Sequence, residues 1–314
     1  MLDLKVKKIL VTGGDGFLGQ HLVRALISRG VPKANIFVPH REEYDLRLIE
    51  NCRQVLRGMD AVVHLAGVTG DGEFHRDHPA EIFYDNLLLG VELLEAAREV
   101  GVEKFVGIGS VTEYPQNAPL PYEEQNLWVG PVDGLHEAYT IAKKMLLVQG
   151  QAYRAQYGLN VIHVLLTNLY GPGKEAVRGF VVTNIIQRML QAEADGSAYV
   201  EVWGTGQPTR DFLYVEDAAE GIVRALESYD QPEPVNLGSG WEISIRELTE
   251  IVAKILDFRG EIRFDPAKPE GVRRRMVNPT RAEKEFGFRP RTSFEDGLRK
   301  TIDWQRNQMA RQSQ

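Results

Sequence analysis

The sequence predicts an α/β fold, a doubly wound parallel sheet with a smaller α/β lobe appended, and three observations carry that expectation. Short β-rich runs alternate with longer amphipathic stretches through the first two-thirds of the chain, the rhythm of βαβ units. A glycine cluster stands between the first strand candidate and the first helix candidate. Ala61–Gly67 and Val161–Leu166 are almost continuously apolar, as central strands covered by helices on both faces must be.

Taken in order, strands are expected at Lys8–Thr12, Ile36–Pro39, Ala61–Ala66, Lys104–Gly109, Val161–Leu166 and Val235–Leu237. Helices are expected between them at Gly16–Ser28, Arg47–Arg57, Ala80–Val100, His136–Tyr157 and Val215–Leu226. After Gly171, Pro and Gly punctuate shorter elements, with helices at Phe180–Ala192, Ser244–Leu256 and Ser293–Arg306. Ser244 and Glu247 have the spacing of a capping box, in which each side chain satisfies a first-turn or N-cap amide.

Composition bounds the rest. The 314 residues suffice for about two domains, and 43% hydrophobic with 26% charged residues is ordinary for a globular chain, against disordered or collagen-like readings. The single cysteine, Cys52, excludes an internal disulfide and a Cys-rich zinc site. A net charge of −7 argues against a nucleic-acid or anionic-membrane coat, so an anionic ligand must be met by local cations or backbone amides. No apolar run reaches the ~20 residues of a membrane span, the start of the chain lacks a signal-peptide pattern, and the cytoplasm is the expected compartment. None of the seven histidines shows metal-ligand spacing, and no metal is expected.

The segment Thr12 to Gly19 (TGGDGFLG) places Gly13 where a tight turn is needed, Gly16 where backbone must approach a pyrophosphate, and Gly19 where helix and strand pack closely. Its spacing is G-x-x-G-x-x-G, following a strand and opening a helix, which reads as dinucleotide binding. Residues 1–170 are therefore expected to form the dinucleotide-binding domain, with returns near 211–240, and residues 171–314 a substrate-binding lobe. Where NAD enzymes carry an acid for the ribose 2′-hydroxyl, this chain has Val38-Pro-His40-Arg41. Arg41 can hold a 2′-phosphate, so NADP(H) is preferred, while Glu42 and Glu43 nearby leave NAD(H) open.

Tyr139 and Lys143 stand at i and i+4 near the start of a long helix, so both side chains reach one site. A phenol ordinarily titrates near ~10, and a neighbouring ammonium brings it towards the working range of an acid–base group. Ser110 leaves the carboxyl end of the fourth strand, where ligands bind in open α/β sheets, and its hydroxyl can meet the oxygen that Tyr139 protonates.

Together with His64-Leu65-Ala66-Gly67, Asn86, Asn168 to Pro172 and Arg210 to Asp217, these motifs resemble the extended short-chain dehydrogenase/reductase family acting on nucleotide sugars, over essentially the whole chain. The stretches Arg41–Leu46, Thr167–Pro172, Val202–Gly206 and Phe264–Gly271 are similar to the GDP-L-fucose synthase branch in particular. The resemblance implies a Rossmann fold, catalysis by Ser110, Tyr139 and Lys143, and a cofactor held by Gly13, Gly16, Phe17, Leu18, Gly19, Arg41, Leu65, Ala66, Gly67, Asn86, Tyr139 and Lys143. It implies a nucleotide-diphosphate sugar met by Thr112, Asn168, Arg188, Trp203, Arg210 and Lys268, and a homodimer pairing Ala80–Val100 and His136–Tyr157 into a four-helix bundle.

The compact Val38–Asp60 segment, with room for one helix, resembles reductases rather than 4-epimerases. In the resembling synthases, 3,5-epimerisation is credited to a cysteine and a histidine. Those positions read here as Thr112 and Phe180, and neither an alcohol nor a phenyl ring performs that proton transfer. The expected activity is NADPH-dependent reduction of a nucleotide-linked 4-keto-6-deoxy sugar without epimerisation. An NAD-retaining 4-epimerase is the alternative, and a non-catalytic cofactor sensor would have lost the Tyr139/Lys143 pair. Were the strand to continue past Ser110, Glu113 would point away from Ser110 and Thr112.

Overall fold

A computed structural model describes residues 1–132, 134–173, 180–268 and 270–312. Pro269, within the Phe264–Gly271 stretch, lies outside the described residues. The first half runs β1 (Ile9–Thr12), α1 (Phe17–Ser28), β2 (Ile36–Phe37), α2 (Ile49–Leu56), β3 (Ala61–His64), α3 (Gly72–Asp77), α4 (Pro79–Val100), β4 (Lys104–Ser110), α5 (Glu137–Tyr157) and β5 (Asn160–Leu166). There follow β6 (Asn168–Tyr170), α6 (Val181–Asp195), β7 (Tyr199–Trp203), β8 (Thr209–Arg210), β9 (Phe212–Tyr214), α7 (Val215–Ser228) and β10 (Val235–Leu237). The chain closes with β11 (Ile243–Ser244), α8 (Ile245–Leu256), β12 (Glu261–Asp265), β13 (Arg274–Arg275), α9 (Thr280–Phe286) and α10 (Phe294–Gln312).

Six strands form one sheet in the order β10-β5-β4-β3-β1-β2, every neighbouring pair parallel. The order reverses between β1 and β3, so their carboxyl ends open a crevice of the kind that takes a dinucleotide. β1 and β3 are buried at every residue, which explains why they are apolar up to their last residues, Thr12 and His64. The second strand is shorter than expected: pairing stops at Phe37 because Val38 turns in beneath the glycine loop.

One hydrophobic cluster lies between the sheet and helices α1 and α7, where Leu22, Leu26, Ile222, Val223 and Leu226 are fully buried. A separate cluster joins α6, α8 and α10 through residues such as Ile186, Met189, Leu248, Val252 and Ile302. The chain crosses between these cores more than once: α7 and β10 return to the main sheet, and Ala282, Phe286 and Phe288 pack there too. The Ser244/Glu247 capping box forms as its spacing predicts, Glu247 N donating to Ser244 Oγ at 3.1 Å and Ser244 N to Glu247 Oε2 at 3.0 Å.

Candidate active site

Gly13 sits at φ +66°, a left-handed conformation that glycine adopts without strain, and turns the chain away from β1. Gly16 then precedes α1 in an extended conformation without a capping side chain, leaving the amides of Phe17, Leu18 and Gly19 to face the crevice. A Cβ on Gly19 would lie 2.1 Å from the carbonyl oxygen of Gly13, so the loop closes on the helix only with glycine there. On the β3 side, Ala66 N donates to Thr12 Oγ1 at 3.1 Å, and Thr12 Oγ1 lies 2.8 Å from His64 Nδ1. Burial pushes His64 down to about 3, with Lys143 adding to the effect, so this imidazole is a neutral structural link.

The next turn brings together the residues expected to bind the cofactor and those expected to be catalytic. A Cβ on Gly67 would meet Asn86 Oδ1 at 2.9 Å and Lys143 Nζ at 3.2 Å. Asn86 braces that turn by accepting from Val68 N and donating to Val68 O and Ile82 O. Leu65 follows β3, its amide donating to Thr12 O. At the far end of the crevice Arg41 is exposed, next to His40, whose Nδ1 lies 2.8 Å from Asp15 Oδ2 of the glycine loop. This bare-backbone cradle, bordered by Arg41 at one end and Lys143 at the other, fits a phosphorylated dinucleotide.

β4 ends at Ser110, and Val111–Glu113 form a 3-10 turn rather than more strand. Ser110 Oγ accepts from Thr112 N at 3.2 Å and from Thr112 Oγ1 at 3.0 Å. Two incoming donors leave the Ser110 proton available for a ligand oxygen. Thr140 Oγ1 donates to Thr112 O at 3.3 Å, pinning the first turn of α5 to this turn. On that helix Lys143 Nζ lies 5.9 Å from the Tyr139 ring centroid. Burial lowers Lys143 to about 8, against the opposing influence of Glu113. Burial, reinforced by Glu113, raises Tyr139 above the ordinary phenol value. The phenol is thus raised rather than lowered as expected, and it keeps its proton at neutral pH.

Glu113 departs from the alternation argument. Because the strand stops at Ser110, its carboxylate curls back and accepts from Ser110 N at 2.9 Å, completing a capping box around the turn. Sequence patterning also missed a neighbour of Tyr139: the His75 ring meets the phenol ring edge-on at 5.7 Å, and His136 in turn lies 4.7 Å from His75. His75 comes from α3, a one-and-a-half-turn helix in a polar stretch with no apolar period to betray it. Among the described residues no group of three His, Cys, Asp or Glu side chains could hold a metal, and no helix is long and apolar enough to cross a membrane.

The proposed substrate-side residues fall into two groups. Arg188 and Lys268 lie over the half-exposed Trp203 ring, at 5.3 Å and 5.8 Å from its centroid. Arg210 is closed in elsewhere: Gly271 gives its guanidinium room, since a Cβ there would lie 2.8 Å from Nη2. Burial first, then the Arg275 charge, lower Arg210 to about 10, so it stays cationic at neutral pH. Asn168 Nδ2 donates to Asp211 O at 3.0 Å, tying β6 to the strand that carries Arg210. Cys52 is fully buried in α2 and its thiol is pushed up to about 12 by burial, which removes it from the chemistry.

Against known proteins, the model of the NAD dependent epimerase/dehydratase family matches residues 9–238. A GDP-L-fucose synthase from Sinorhizobium fredii is 36% identical over 307 residues, covering 96% of each chain. Among solved structures, a GDP-L-fucose synthetase from Naegleria fowleri superposes with a TM-score of 0.88 at 25% identity, covering 99% of this chain and 96% of that one. A GDP-mannoheptose C4 reductase from Campylobacter jejuni, with NADP bound, superposes with a TM-score of 0.87 at 24% identity, covering 96% of this chain and 98% of that one. With the glycine cradle and the Ser110, Tyr139 and Lys143 placement, these matches make the chain a member of the NAD dependent epimerase/dehydratase family and an NAD(P)-dependent enzyme of nucleotide-sugar chemistry.

Proposed function

We propose that this protein reduces a GDP-linked 4-keto-6-deoxy sugar with NADPH and leaves carbons 3 and 5 unchanged. The names of its GDP-L-fucose synthase relatives support the guanine nucleotide, and the reductase named among its solved structural neighbours is consistent with the reduction. The observation that carries the second half is Thr112: where those synthases are credited with a cysteine, its hydroxyl donates to Ser110 Oγ. An alcohol so engaged orients the serine and does not remove a carbon-bound proton. Phe180, in the place read for the histidine, faces the Phe17 ring at 6.1 Å and has no proton to give.

When bound, the nicotinamide supplies the hydride. Ser110 donates to the ketone oxygen, Tyr139 delivers its proton there as negative charge develops, and Lys143 steadies the phenolate left behind. Arg210 meets the diphosphate, while the Trp203 face, flanked by Arg188 and Lys268, receives the base. NADP(H) is favoured over NAD(H) by Arg41 and by the absence of an acid directly after β2. On this reading residues 1–170 and the 211–240 return hold the dinucleotide, and residues 171–314 the sugar nucleotide. Exposed Phe83 and Tyr84 on α4 with Val148 on α5 support a homodimer through those helices.

The competing reading is an NAD-retaining 4-epimerase. Denaturing the purified protein and quantifying released nucleotide separates them: exchangeable or absent NADP(H) is expected, and stoichiometric, tightly held NAD would overturn the reductase assignment.

A further inference from the structure

The most completely buried charge near the reacting groups belongs to Glu113, whose side chain is 0% exposed. Its carboxylate accepts from Ser110 N and lies 3.2 Å from Nε2 of His163, which rises from β5 and is 3% exposed. Space for this pair is built into β4. A Cβ on Gly109 would lie 2.3 Å from Glu113 Oε1 and 2.4 Å from His163 Nε2, and one on Gly107 would lie 3.3 Å from His163 Nδ1. Two glycines on one face of a strand thus open a slot for the Glu113–His163 contact directly behind the serine turn.

A buried carboxylate is tolerated only with partners, and removing one partner is ordinarily severe. The groups within its electrostatic reach are His163 from β5, Tyr139, Lys143 and Lys144 from α5, and Tyr114 just beyond the turn. Lys144 Nζ is taken up by Leu127 O at 2.6 Å, and Tyr114 donates to Asn236 Oδ1 at 2.8 Å. Lys143 also faces His64 from β3, which burial keeps neutral.

We propose that Glu113, held against His163 in the slot over Gly107 and Gly109, is a positioning residue that fixes the turn presenting Ser110 and whose carboxylate field acts on Lys143 and Tyr139. This rests on the assignment of the chemistry to Ser110, Tyr139 and Lys143. Glu113 touches no reacting atom. It acts through the Ser110 amide and through its field on the first turns of α5.

The test is Glu113→Gln, which keeps an acceptor for Ser110 N and removes the charge. Lys143 is titrated by carbon-13 NMR of its ε carbon, assigned with Lys143→Arg, and kcat is measured against pH. The expected result is a fall of about one unit in the Lys143 titration midpoint, the same acidward move of the alkaline limb, and a kcat about tenfold lower with KM for NADPH unchanged. An unmoved Lys143 midpoint in the folded variant overturns the inference. Should Glu113→Gln fail to fold, the double variant Glu113→Gln with His163→Leu keeps an acceptor for Ser110 N while removing the carboxylate and its imidazole partner, and the same shift is expected of it. The NMR titration needs no turnover, so it stands apart from the reductase assignment, which fails if Tyr139→Phe leaves turnover unchanged.

Discussion

At the scale of single residues, the proposed mechanism turns on two protons, and burial decides where each resides. Tyr139 is raised and Lys143 lowered to about 8, so at neutral pH the phenol keeps its proton and the lysine is predominantly an ammonium. Raising the pH through about 8 removes the lysine proton first. The stabilisation of the developing phenolate is lost with it, so kcat is expected to fall above pH 8 as a single alkaline limb, read from NADPH oxidation against pH at saturating substrate. Tyr139→Phe removes the donor outright and is expected to lower kcat by about 10²–10⁴-fold while the protein still binds NADPH, seen by fluorescence titration. Retained turnover in that variant would remove Tyr139 from the mechanism. Arg210→Ala acts on binding instead: KM for the sugar nucleotide is expected to rise at least about tenfold with kcat little changed.

At the scale of elements, short connections hold the site. The loop from Thr12 to Gly19 closes because Gly19 carries no Cβ against the Gly13 carbonyl, so Gly19→Ala must open it. At least about tenfold weaker NADPH binding is expected, a difference of ~1.4 kcal/mol, and unchanged affinity would show that the loop does not cradle the cofactor. What was legible in the sequence follows the same division. The glycine loop and the i, i+4 pair are local patterns whose geometry is set within a few residues, and they stand where their spacing places them. For Glu113 strand alternation does not extend the three residues past Ser110, because the Ser110/Glu113 capping box bends the chain into a turn there. His75 was illegible for another reason: its approach to Tyr139 depends on how α3 folds across the crevice, a contact spanning 64 positions that no local period encodes. The second strand was overextended because Val38 is β-prone yet serves as packing beneath Gly14.

At the scale of the whole molecule, the parallel sheet and the α6, α8 and α10 core divide the ligands. On the proposed function, the first would offer backbone amides and Lys143 to a dinucleotide, and the second a few cations beside Trp203 together with Arg210 to a second anionic ligand. With a net charge of −7, such local cations are the means by which the protein would meet a diphosphate. The central claim joins both ligands in one reaction, reduction of the ketone without inversion at its neighbours. Its most direct measurement is turnover of GDP-4-keto-6-deoxymannose with NADPH in deuterated water, the product being analysed by NMR and mass spectrometry. The expected result is stoichiometric NADPH oxidation giving a 6-deoxy sugar with no carbon-bound deuterium at carbons 3 and 5. Deuterium and inversion at those carbons, or no NADPH oxidation with this substrate, would contradict it.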